Sequence, residues 1–115
     1  MAEDSALSRV SMPARFRKAL EEFLVKVKKE LGEAEVYLFG SYARGTWLEE
    51  SDLDLVVISP SFRGLDLGKR YLMVRKLLPS DISVELLLYT PEEFERVKRR
   101  SIILQDILRY WIKLL

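Results

Sequence analysis

The sequence predicts an α/β (α+β) sandwich, a small mixed β-sheet covered by helices. Three observations carry this reading. The elements run helix, strand, short turn, strand, helix, strand, helix, helix. The strand candidates are short and rich in β-branched and aromatic residues. The longer segments repeat apolar residues at helical spacing. With 115 residues and neither internal repeats nor low-complexity stretches, the chain reads as one domain spanning residues 1–115.

Residues 1–10 carry Glu3, Asp4 and Arg9 and lack the apolar stretch of a signal peptide. They are expected to be mobile. Phe16, Leu20, Phe23, Val27 and Leu31 then recur at helical spacing, which predicts an amphipathic helix over 13–31, stopped by Gly32. Residues 35–39 form the first strand and 53–58 the second, ended by Ser59-Pro60. A loop through Phe62 and Gly64 leads to a helix over 66–78, with Leu67, Tyr71, Val74 and Leu78 on its apolar face and Lys69, Arg70, Arg75 and Lys76 on the other. Pro79-Ser80 breaks it before a third strand at 82–88. Thr90-Pro91-Glu92-Glu93 has the form of a capping box and starts the next helix. The remainder to Leu115 reads as helical, divided near Lys98-Arg99-Arg100-Ser101. Over 102–115 only Gln105, Asp106, Arg109 and Lys113 are polar. This C-terminal helix is therefore either buried in the domain or part of a homodimer or partner interface.

Composition narrows the chemistry. A formal charge of +1 argues against a protein that coats nucleic acid, so nucleic acid is expected only as an acceptor. There is no cysteine and no histidine, which excludes disulfides, thiolate zinc sites, Ser-His triads and the usual transition-metal ligands. A site must be built from carboxylates, Lys, Arg, Tyr, Ser and backbone. The absence of Asn, with a single Gln, hints at a heat-adapted source. No segment reaches the roughly 18 apolar residues of a membrane span, and the chain reads as cytoplasmic.

One passage is built for chemistry: Gly-Ser-Tyr-Ala-Arg-Gly-Thr-Trp-Leu-Glu-Glu-Ser-Asp-Leu-Asp, residues 40–54. Phosphoryl or nucleotidyl transfer needs the triphosphate charge neutralised and the attacking and leaving oxygens clamped, a task suited to two divalent ions about 3.5–4 Å apart. Such ions take hard oxygen ligands. Asp52 and Asp54 lie two apart at a strand start and so point to the same face, with Leu53 and Leu55 directed into the core. Alternation in the third strand places Asp81, Ser83 and Glu85 on one face. Glu85, mid-strand in an apolar run, completes a three-carboxylate cluster if its strand neighbours that of Asp54. Gly40 permits close backbone approach to a phosphate, and amides of Ser41 and Tyr42 can donate to its oxygens. Arg44 either contacts phosphate or pairs with Glu49 or Glu50.

Gly40-Ser41-Tyr42-Ala43-Arg44-Gly45 followed by Ser51-Asp52-Leu53-Asp54-Leu55 resembles the signature of the nucleotidyltransferase superfamily related to DNA polymerase β. The size resembles its minimal nucleotidyltransferase branch. The resemblance covers about residues 13–94. It implies the nucleotidyltransferase fold, dependence on Mg²⁺ and ATP or another NTP as donor. Asp52 and Asp54 match the metal-binding aspartates, Glu85 the third carboxylate, and Gly40 and Ser41 the triphosphate-binding pair. The implied reaction is attack of an acceptor hydroxyl on the α-phosphorus, releasing pyrophosphate, with Arg44, Lys69 or Arg70 available to steady the triphosphate, unless Lys69 and Arg70 simply form a solvated helix face. This branch is frequently paired with a helical HEPN toxin, for which it acts as antitoxin, in some cases by adenylylating it. A HEPN partner, a second copy of the chain, or both are therefore expected, with residues 102–115 as the docking surface. Two readings compete: a nucleotide- or protein-binding antitoxin with little catalysis, and nucleotidyl transfer to a small molecule.

Overall fold

The computed structural model describes residues 6–115. The elements are α1 (Ala14–Leu31), β1 (Glu35–Phe39), α2 (Gly40–Arg44), β2 (Leu53–Ile58), α3 (Leu67–Arg75), β3 (Val84–Tyr89), α4 (Pro91–Arg100), α5 (Ile102–Leu108) and β4 (Ile112–Lys113). The strands form one mixed sheet in the order β3-β2-β1-β4. β1 is antiparallel to both neighbours, whereas β2 and β3 are parallel and are joined by a crossover through α3. This is the small mixed sheet expected from the sequence.

Helices cover both faces. On one, Phe16, Leu20, Phe23, Val27 and Leu31 of α1 pack with Val36, Leu38, Leu53, Leu55, Val57 and Val74 into the main core. The five α1 positions at helical spacing are all buried. On the other face, Phe94 and Leu104 of α4 and α5 pack with Phe39, Val56 and Ile58, backed by Tyr37, Tyr89 and Trp111, into a second, aromatic-rich core. Trp111 stacks on Tyr37 with ring centroids 3.6 Å apart and on Phe94 at 5.6 Å.

Local signals explain most boundaries. Thr90 forms the capping box with Glu93. Ser101 ends α4 and caps α5 by accepting from the Leu104 N–H. β3 begins two residues later than expected, and Ile82 is buried ahead of it.

Three expectations are corrected. First, residues 102–115 are not one helix. α5 stops at Leu108, and the chain returns as β4 against β1, pairing Ile112 with Leu38 and Lys113 with Tyr37. The amides of Leu114 and Leu115 donate to the Val36 carbonyl, and the Val36 amide donates to the Leu115 carbonyl. The cause is the open edge of β1, whose unpaired backbone groups take a strand more readily than another helical turn. Helical periodicity cannot separate the two in a short apolar run. The apolar surplus is taken up only in part: Leu114 enters the main core and Trp111 packs on the second, while Ile102 and Ile103 stay exposed.

Second, α3 spans Leu67–Arg75 rather than 66–78, and its expected apolar face holds only in part: Val74 and Leu78 are buried as expected. Leu67 is 71% exposed and Tyr71 43%, whereas Arg70 is 6% exposed. Arg70 forks onto Glu93 at 2.6 and 3.0 Å and donates to the carbonyls of Leu65 and Leu88. A guanidinium supplied with that many acceptors can be buried. Third, of the N-terminal residues expected to be mobile, residues 1–5 lie outside the described ones, while Ala6–Arg9 form a 3₁₀ turn with Leu7 and Val10 buried. Arg17 holds this turn by donating to the Leu7 and Val10 carbonyls. No described helix is long and apolar enough to cross a membrane.

Candidate active site

Strand register assembles the site. Phe39 pairs with Asp54, and Asp54 with Glu85, so β1, β2 and β3 each contribute one residue to a row across the sheet. Alternation sends Leu53 and Leu55 into the main core, both fully buried, and turns Asp54 to the α4/α5 face. On that face Val56, Ile58, Leu87 and Tyr89 continue the second core. The two carboxylates therefore stand at the rim of an apolar layer, Asp54 half-buried and Glu85 exposed.

That position sets the electrostatics. The Asp54 carboxyl is raised from 3.8 to about 7, chiefly by burial, then by its hydrogen bond with Glu85 and by the charges of Glu85 and Asp52. Near neutral pH Asp54 is therefore only partly ionised, and a cation beside it would favour the ionised form. Asp52 lies just ahead of β2 and is exposed. Among the described residues no group of three carboxylates is placed to hold an ion as the side chains stand. The structure thus joins Asp54 with Glu85 and leaves Asp52 beside them.

The Gly-Ser turn fits tightly over this pair. Gly40 opens α2 with φ +73°, and a Cβ there would lie 2.0 Å from Asp54 Oδ2. Only glycine lets the backbone come so close. The turn is pinned by the next residue but one. Tyr42 is 2% exposed, 5.6 Å from the Phe16 ring and stacked on Trp47 at 5.3 Å. Gly45 closes α2 with φ +75°, its N–H donating to the Ser41 carbonyl.

Arg44 pairs with neither Glu49 nor Glu50; its guanidinium lies over the Tyr110 ring, 4.8 Å from the centroid. Phe39, Gly40, Arg44, Asp54, Glu85, Asp106, Ile107 and Tyr110 line one cavity of about 260 Å³. Ser41 is half-buried beside it. Neither Lys69 nor Arg70 reaches this cavity: Lys69 is exposed on α3 and Arg70 is committed to Glu93. Sequence reasoning missed the contribution of α5 and the turn after it. Asp106 stood out as one of few polar residues in an apolar run, and Tyr110 became visible only once the helix was seen to end.

The donor set is all carboxylate oxygen with one nearby guanidinium, which suits a hard divalent cation and a phosphate ester. Residues 18–110 match the nucleotidyltransferase domain family. Over 70 residues the chain is 44% identical to a candidate protein adenylyltransferase of Methanocaldococcus jannaschii, covering 59% of this chain and 44% of that protein. It is 30% identical over 73 residues to the CCA-adding enzyme of Saccharolobus solfataricus, covering 63% of this chain and 17% of that enzyme. The matches therefore span less than half the length of these curated relatives. Among solved structures, a candidate nucleotidyltransferase from Sulfolobus solfataricus superposes with a TM-score of 0.59 at 29% identity, covering 73% of this chain and 77% of that one. A toxin–antitoxin complex crystallised with AMP-PNP superposes with the same score at 26% identity, covering 83% and 72%. A match across most of the sequence and a fold shared with solved nucleotidyltransferases place this chain in the nucleotidyltransferase domain family.

Proposed function

We propose that the chain transfers a nucleoside monophosphate, AMP from ATP, to an acceptor hydroxyl on a partner protein, and that the partner is a HEPN-type toxin for which it is the antitoxin. The observation that carries the transfer reading is the Asp54–Glu85 row with Gly40 pressed against Asp54. It brings hard oxygens and the Gly40 backbone to one cavity. The partner reading is supported by the likeness to the toxin–antitoxin complex with AMP-PNP and to the adenylyltransferase of M. jannaschii.

In this reading Asp52, Asp54 and Glu85 would hold Mg²⁺. Bound magnesium would neutralise the triphosphate and clamp its reacting oxygens. Amides at Gly40 and Ser41 donate to phosphate oxygens, and the Ser41 hydroxyl adds a donor. Arg44 offsets triphosphate charge from the far side of the cavity. Glu85, the exposed member of the pair, faces the acceptor and accepts its hydroxyl proton as the new O–P bond forms and the bond to pyrophosphate breaks. The reaction belongs in the cytoplasm, where ATP is plentiful.

A second reading has its own support. With no three carboxylates grouped as the described side chains stand, the same cavity serves an antitoxin that binds nucleotide or toxin without turnover. Labelled ATP, Mg²⁺ and the protein encoded beside this chain separate the two. Label that appears on the partner and disappears with Asp54→Ala supports transfer. A tight complex without label, unaffected by that substitution, leaves only the binding module.

A further inference from the structure

We infer that Tyr110 is a positioning residue: it holds the Arg44 guanidinium at the cavity, unpaired and ready for the donor's phosphates. This rests on the nucleotidyltransferase reading of the site.

Arg44 ends α2 and is exposed. A long cationic side chain so placed has two ordinary fates. It waves in solvent, or it collapses onto the nearest carboxylates, here Asp54, Glu85 and Asp106, which line the same cavity. It does neither. Among the described residues no ion pair links Arg44 to an acid, and its guanidinium sits on the Tyr110 ring. An aromatic face attracts the cation without consuming its N–H donors, so all five stay available to phosphate oxygens.

Arg109 shares the Tyr110 ring, 5.5 Å from its centroid, and stands 3.9 Å from Asp106, the cavity acid contributed by α5. That exposed pair is weak, and Asp106 nonetheless makes no ion pair with Arg44. Tyr110 itself is fixed by the chain on either side. Its N–H donates to the Ile107 carbonyl, Trp111 is stacked on Tyr37, and Ile112 pairs with Leu38 in the sheet. The ring thus stands 42% exposed at the junction of α5 and β4. Had the helix run on, this residue would have no such anchor.

The test measures affinity for a non-hydrolysable ATP analogue with Mg²⁺ by calorimetry. The proteins are wild type, Tyr110→Phe, Tyr110→Leu, Arg44→Ala and the double variant Arg44→Ala/Tyr110→Leu. Tyr110→Phe keeps the aromatic face and binds as wild type. Tyr110→Leu keeps apolar bulk, loses the face and binds about two- to five-fold more weakly. In the Arg44→Ala background Tyr110→Leu adds nothing, because the group it positions is gone. Equal affinity of Tyr110→Leu and wild type overturns the inference, as does an undiminished Tyr110→Leu penalty without Arg44. Binding that is abolished by Asp54→Ala but indifferent to Tyr110 leaves the function standing and removes only this residue's role. A wild-type protein that binds no analogue removes both. Thermal unfolding of each variant separates lost affinity from lost fold.

Discussion

Replacing Gly40 by alanine separates the two jobs of one glycine. At φ +73° an alanine is in the left-handed region, which costs about 1–2 kcal/mol wherever it occurs. Gly45 has φ +75° and open space around its missing Cβ, so Gly45→Ala pays that backbone strain alone. Gly40→Ala also drives a methyl to 2.0 Å from Asp54 Oδ2, where ordinary contact begins at 3.4 Å. The carboxylate or the turn must yield by 1.4 Å. A misplacement of about 1 Å in a catalytic constellation costs about 100-fold in rate. The expected result is a loss of stability in both variants by urea unfolding, larger in Gly40→Ala, with transfer of AMP from labelled ATP about 100-fold lower in Gly40→Ala only. If both variants transfer AMP at rates within a few-fold of one another, the close approach of Gly40 to Asp54 has no part in the chemistry and the reasoning fails.

Other consequences can be measured on the same protein. Because Asp54 holds its proton more tightly folded (about 7) than unfolded (3.8), its contribution to metal-free stability is full below pH 4 and is lost as pH rises through 7; Asp54→Asn flattens this slope and raises neutral-pH stability by about 1–2 kcal/mol, a value reduced for its half-exposed position. Magnesium should restore what deprotonation removes, seen as a higher melting temperature above pH 7 in wild type and no shift in Asp54→Asn. Glu93 behaves oppositely. The hydrogen bond from Arg70 lowers it to about 2, so its contribution is full above pH 4.5 and is lost as pH falls through 2. Arg70→Ala leaves Glu93 without its partner and should cost about 3 kcal/mol in urea unfolding while nucleotide affinity stays unchanged, since Arg70 lies outside the cavity. Trp111→Ala removes the stacked centre of the second core and should cost about 2–3 kcal/mol, with hydrogen exchange rising in β4 before α1.

The legible parts of this molecule were those fixed by local chemistry. The α1 stripe, the Thr90 capping box and the two strands around the Gly-Ser turn announce themselves within a few residues. The carboxylate row was readable because period-two alternation puts Asp54 and Glu85 on definite faces, and only the adjacency of their strands had to be supplied. What stayed hidden depended on partners far away in sequence. Arg70 looks like surface until Glu93 is placed next to it. Residues 112–113 look helical until β1 offers an open edge. Tyr110 joins the cavity only as a result of that pairing, so no motif could have flagged it.

The parallel pairing of β2 with β3 has a further meaning for how the molecule comes into being. Asp54 and Glu85 meet only after the chain has crossed over through α3, a non-local closure rather than a hairpin turn. A nascent or partly unfolded chain that lacks this pairing has the Gly-Ser turn and both acids but no cavity. On the proposed function, nucleotide binding would count the finished molecules in a preparation, and a saturating nucleotide would draw the folding equilibrium toward them.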